Sequence, residues 1–99
     1  MHIFEYAYSF FKDLKRPFSL LWNDGPRLKA IDAELAAKGL APKELGKGRN
    51  VWYCLGYTLA RGKAEAIGLH DCDILTYDRN LLARLFYPVA NPNFQYEFC

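Results

Sequence analysis

Asp71-Cys72-Asp73 is where this chain most plainly offers chemistry. Two carboxylates one residue apart repel unless something cationic sits between them. A divalent metal is the usual answer, since hard cations such as Mg²⁺ and Mn²⁺ take oxygen ligands. The stretch before them, Ala64 to His70, has no charged residue after Glu65 and reads as a strand buried on both faces. Side chains alternate along a strand, so Asp71 and Asp73 share one side and His70 and Cys72 the other. Carboxylates at the end of such a strand face the crevice where open α/β sheets bind ligands. A metal held there neutralises charge on a departing diphosphate. The rival reading is a pair of capping or loop aspartates, and a bare Asp-x-Asp is common by chance.

Gly46-Lys47-Gly48 is the second candidate. Two glycines let backbone N–H groups approach a phosphate, and Lys47 adds a point charge. The tripeptide is not a Walker loop, because the first glycine of that motif falls at Ala41 and no Ser or Thr follows Lys47. A plain flexible turn is the alternative. Asp24, after the apolar run Phe18 to Trp22, reads as a helix cap or as a ligand contact. His70 reads as a satisfied histidine rather than a third metal ligand, because alternation puts it opposite the aspartates.

The elements that must hold these residues alternate. Ile3, Ala7, Phe10, Phe11 and Leu14 share one face of a first helix, which Arg16-Pro17 stops. Phe18 to Trp22 reads as a buried strand. Asn23-Asp24-Gly25-Pro26 then opens a helix buried through Leu28, Ile31 and Leu35, with Gly39 at its C′ position and Leu40 folding back. Residues 41–50 read as a loop. A helix follows on Val51, Leu55 and Leu59, and Gly62 closes it. After the strand before Asp71, Asp78 caps a helix through Leu81, Leu82, Leu85 and Phe86. Pro88 and Asn91-Pro92 end it, and Phe94, Tyr96 and Phe98 alternate as a last strand cut off without a turn signal. The expected fold is α/β with a mostly parallel sheet, in a single partial domain over 1–99.

Composition narrows the function classes. An apolar fraction of 52% and an aromatic fraction of 16% exclude a disordered chain. The net charge of +2, with no Lys/Arg run, gives no electrostatic footprint for nucleic acid. The apolar runs are too short for a membrane span, and the first residues lack signal-peptide features. Cys54, Cys72 and Cys99 are odd in number and have neither zinc nor redox spacing, so buried free thiols in a reducing cytoplasm are expected.

Taken in order, Gly46-Lys47-Gly48, Val51-Trp52, Ala66-Ile67-Gly68-Leu69 and Asp71-Cys72-Asp73-Ile74 resemble the GT-A nucleotide-sugar glycosyltransferases. The nearest likeness is to the glucosyl-3-phosphoglycerate synthase and mannosylglycerate synthase branch, from about Phe18 to Cys99. The resemblance implies transfer of a hexose from a UDP- or GDP-sugar to an acceptor hydroxyl, with retention of anomeric configuration. The acceptor implied is phosphoglycerate or glycerate. It matches Asp71 and Asp73 to the Asp-x-Asp motif, which binds Mg²⁺ or Mn²⁺, and Gly46, Lys47 and Gly48 to the loop beside the donor nucleotide. Asp24 has no secure counterpart and stands as a donor contact only. The family's opening strand and its acceptor region have no match, so a fragment of a longer transferase is expected, with homo-oligomers among its states. The chain departs from the branch at Arg49-Asn50, where small residues are expected.

Three rival readings use the same residues differently. A haloacid-dehalogenase-type phosphatase also places Asp-x-Asp at a strand end, but wants Thr or Val where Leu75 stands. A nucleotidyltransferase wants a Gly-rich loop on its first strand, and none is visible. A non-catalytic nucleotide- or metal-binding fragment is the third.

Overall fold

A computed structural model describes residues 3–97 and contains α1 (Ile3–Phe11), α2 (Pro26–Ala37), α3 (Lys47–Arg61) and α4 (Arg79–Ala90). No strand occurs among the described residues, so the expected α/β, GT-A-like fold is overturned for this chain. The apolar runs at 18–22 and 66–70, and the aromatic run at 94–96, are irregular. A strand is held by the ladder it makes with a neighbour, and an unpaired one leaves its backbone groups to water. An apolar run reports a need for burial and says nothing of a pairing partner. Phe98 and Cys99, which complete the last expected strand, lie outside the described residues.

Two compact units divide the chain, residues up to Tyr57 and residues from Thr58 on, and α3 crosses the boundary. In the first unit, α1 packs through its rings. Phe4 stacks on Trp22 with centroids 5.8 Å apart, and Tyr8 and Phe11 lie 6.1 and 5.8 Å from Phe18. The packed face is thus Phe4, Tyr8 and Phe11. Of the expected face, Ala7 and Phe11 are half-buried, whereas Ile3, Phe10 and Leu14 are exposed. Gly25 is the N-cap of α2 and Pro26 its first residue. The indole of Trp22 lies so near that a Cβ on Gly25 would meet it at 3.0 Å. At the other end Gly39 turns at φ 70°, Leu40 N–H donates to Leu35 O at 2.8 Å, and Gly39 N–H donates to Ala36 O at 3.0 Å. This is the double closure expected there.

In the second unit, Gly68 packs on α4 and the run around it pairs with no strand among the described residues. A Cβ on Gly68 would come within 2.7 Å of the Phe86 ring. Asp78 caps α4 by accepting from Leu81 N–H at 3.0 Å, as expected. Pro88 lies inside α4 and does not end it; the helix runs two residues further, to Ala90. Proline here removes one N–H but keeps a helical φ, and the chain closes with Asn91 N–H donating to Tyr87 O at 3.1 Å. Among the described residues, only Gly25, Arg49 and Tyr53 are buried. No helix among them is long and apolar enough to cross a membrane.

Candidate functional site

The Gly46-Lys47-Gly48 stretch is not a loop throughout. Gly46 turns at φ 127°, and its carbonyl accepts from Asn50 N–H at 3.1 Å, one turn on. Lys47 is the first residue of α3 and Gly48 the second, four residues earlier than the apolar periodicity places the start. No atom lies within 4 Å of where Cβ atoms on Gly46 or Gly48 would stand. The tripeptide therefore sits at a helix N-terminus, where N–H groups lack intrahelical partners and favour anions. An open hollow of about 530 Å³ borders Gly48, Arg49 and Trp52, with Lys43 and Glu44 also in its lining.

Asp24 is exposed in the turn before α2 and is not that helix's cap, because Gly25 occupies the position and no side chain caps it. The turn nevertheless meets α3. Asn23 Nδ2 donates to Asn50 Oδ1, which joins the turn carrying Asp24 to the helical turn carrying Lys47. Asn23 Oδ1 is itself buried without a hydrogen-bond partner.

A second joint lies one residue back. Arg49, 9% exposed, places Nη2 3.6 Å from Asp32 Oδ2 and its Cζ 5.1 Å from the Tyr53 ring centroid. The Tyr53 hydroxyl donates to Asp32 Oδ1, so one carboxylate takes a partner on each oxygen. Burial, then the hydrogen bond to Asp32 and the charge of Asp32, push the Tyr53 hydroxyl above its usual 10.0, with Arg49 acting the other way. Sequence reasoning missed Asp32, Arg49, Tyr53, Asn23 and Asn50 as a group. Two signals pointed there. Asp32 stands between Leu28 and Leu35, which like it are half-buried while Ile31 is exposed, and Arg49 and Tyr53 are spaced i, i+4.

In the second unit, Asp71, Cys72 and Asp73 occupy an exposed, turn-rich stretch that follows irregular backbone. The strand alternation expected to align the two carboxylates is absent with the strand. The His70 and Tyr77 rings meet edge to face at 5.2 Å, bracketing the stretch. His70 is thus engaged by an aromatic ring, in keeping with a structural role. No cluster of three or more metal-ligating side chains occurs among the described residues. Two carboxylates still fit Mg²⁺ or Mn²⁺, because such ions are commonly held by one or two carboxylates with water and substrate phosphates completing the shell. Cys54 and Cys72 are exposed and not buried as expected; Cys99 lies outside the described residues.

Gly46, Lys47, Gly48 and Asp24 belong to the first unit, and Asp71 and Asp73 to the second. Each group is defined within its own unit.

Comparison with known proteins adds an independent line. The chain is 45% identical over 86 residues to a glucosyl-3-phosphoglycerate synthase of Persephonella marina, covering 87% of this chain and 21% of that protein. It is 39% identical over 99 residues to a glucosyl-3-phosphoglycerate synthase of Methanococcoides burtonii, covering 99% of this chain and 23% of that protein. No family model matches the chain. No solved structure matches it. The chain spans about a fifth of the length of these relatives, in agreement with the part-length reading. Over nearly its whole length, the chain is homologous to a segment of proteins of the glucosyl-3-phosphoglycerate synthase family.

Proposed function

We propose that this segment contributes the donor side of a glycosyltransferase that moves glucose from a UDP- or GDP-sugar to a hydroxyl of 3-phosphoglycerate. The observation that carries the reading is the 45% and 39% identity to two proteins of that name, spread over 87% and 99% of the chain. Residues 1–99 then form one part of a longer transferase domain, acting in the cytoplasm.

Roles follow from side-chain chemistry. Asp71 and Asp73 hold Mg²⁺ or Mn²⁺ against the diphosphate of the donor. The ion, when bound, supplies Lewis-acid stabilisation of the nucleoside-diphosphate leaving group. Lys47 and the N–H groups of the first turn of α3 bind a donor phosphate, which suits a cation beside a helix N-terminus. Asp24, tied to that turn through Asn23 and Asn50, contacts the donor's polar rim.

Transfer assays on the full-length protein that contains this segment test the reading. UDP-glucose and GDP-glucose are each offered with 3-phosphoglycerate, and the product is followed. Glucosyl-3-phosphoglycerate from one donor is expected, and no transfer from either overturns the reaction. For the metal assignment, Asp73→Ala is expected to abolish Mn²⁺-dependent donor binding. Unchanged Mn²⁺-dependent binding in that variant overturns the role given to Asp73.

A further inference from the structure

We propose that Asp32, Arg49 and Tyr53 form a positioning clamp that fixes the first turn of α3, and with it Lys47, for binding of the nucleotide-sugar donor. The inference rests on the donor-site reading above and adds residues to it. Arg49 lies two positions after Lys47 in the same helical turn. Its guanidinium is held on two sides, by Asp32 Oδ2 at 3.6 Å and by the Tyr53 ring at 5.1 Å. The Tyr53 hydroxyl closes the ring of contacts on the other oxygen of Asp32.

Arg49 and Tyr53 are 9% and 5% exposed. A guanidinium taken from water is costly unless paired and hydrogen-bonded, so its partners are held to a narrow geometry. Arginine suits the position, since its planar group pairs with carboxylates and stacks on aromatic faces. The next residue repeats the attachment, with Asn50 accepting from Asn23 in the turn before α2. Arg49-Asn50 is the pair at which the chain departs from the small residues expected after the Gly-Lys-Gly stretch. Both residues of the departure join α3 to the α2 region, in the turn that begins with Lys47. A helix turn fixed on two sides places a phosphate-binding lysine in advance of the ligand and lowers the entropic cost of binding. The three residues act through Lys47 and need touch no substrate.

The test uses the full-length protein and steady-state kinetics with the nucleotide-glucose donor and 3-phosphoglycerate. Arg49→Met is expected to raise the donor KM about tenfold, with kcat and the acceptor KM within about twofold. Tyr53→Phe keeps the ring beneath the guanidinium and removes the hydroxyl, and a rise of about threefold is expected. Asp32→Asn combined with Arg49→Met is expected to match Arg49→Met alone, as members of one unit do. Should Arg49→Met fail to fold, Tyr53→Phe carries the test. Variants that melt at lower temperature with an unchanged donor KM, beside a wild type that transfers glucose, overturn the clamp and leave the transferase reading intact. A wild type that transfers nothing overturns both.

Discussion

The corner between α2 and α3 and the stretch from His70 to Asp78 are built in opposite ways. In the corner, a buried guanidinium, a buried tyrosine and a half-buried carboxylate hold one another, and the flanking glycines are open. In the second stretch every residue is exposed, and the two aspartates lie on irregular and turn backbone bracketed by one ring pair. The contrast teaches a division of labour. Contacts within the chain hold the helix turn that carries Lys47, whereas the Asp71-Cys72-Asp73 stretch lies exposed on non-helical backbone.

The largest expected effect breaks the second side of this comparison. In the full-length protein, Asp71→Asn and Asp73→Asn are each expected to lower glucose transfer by a factor on the order of 10² to 10³, the scale for losing one group that stabilises developing charge. Initial rates with Mn²⁺ held in excess check this. A loss of less than about twofold in both variants would return the pair to ordinary loop aspartates.

Stability sharpens the first side. Arg49→Met leaves Asp32 and Tyr53 without their cation and is expected to cost about 1–3 kcal/mol, between the limits for exposed and buried pairs. Urea unfolding measures it.

The corner also carries a pH signature with a defined sign. The Tyr53 hydroxyl has a folded pKa raised above the usual 10.0, so the folded state holds its proton more tightly than the unfolded state. Its contribution is fully present below pH 10 and is lost as pH rises through the raised folded value. Melting temperatures from pH 7 to 11 should therefore fall more steeply above about pH 10 in the wild type than in Tyr53→Phe. Equal slopes would remove Tyr53 from the clamp's electrostatics. The smallest effect concerns the end of α2. Gly39→Ala places a side chain at φ 70° and is expected to cost about 1 kcal/mol, measured by thermal melting.

Local chemistry was legible where it is self-contained. Asp78 as a cap needs only its own side chain and the N–H three residues on, and Gly39 with Leu40 needs only the last turn of α2. Strands were misread because pairing is not local. Gly68 lies against Phe86 and Leu85 without joining a ladder, while Ile67 and Leu69 stay exposed. The start of α3 was placed late because apolar periodicity begins at Val51, while the helix begins at a glycine turn and polar residues. The same blindness hid the clamp, since its members are a charged pair and a tyrosine whose partners lie 17 and 21 positions away. The family resemblance survived the error in fold because it rests on the order of side chains. That order is what 39% identity across 99 residues also reports.

The most direct measurement is a calorimetric titration of the full-length protein with UDP-glucose and with GDP-glucose, each with and without Mn²⁺. Binding of one donor that requires the metal, and that weakens in both Lys47→Ala and Asp73→Ala, is the predicted result. Donor binding that is indifferent to Mn²⁺ and unchanged in both variants would contradict the role proposed for Lys47 and the role proposed for the two aspartates.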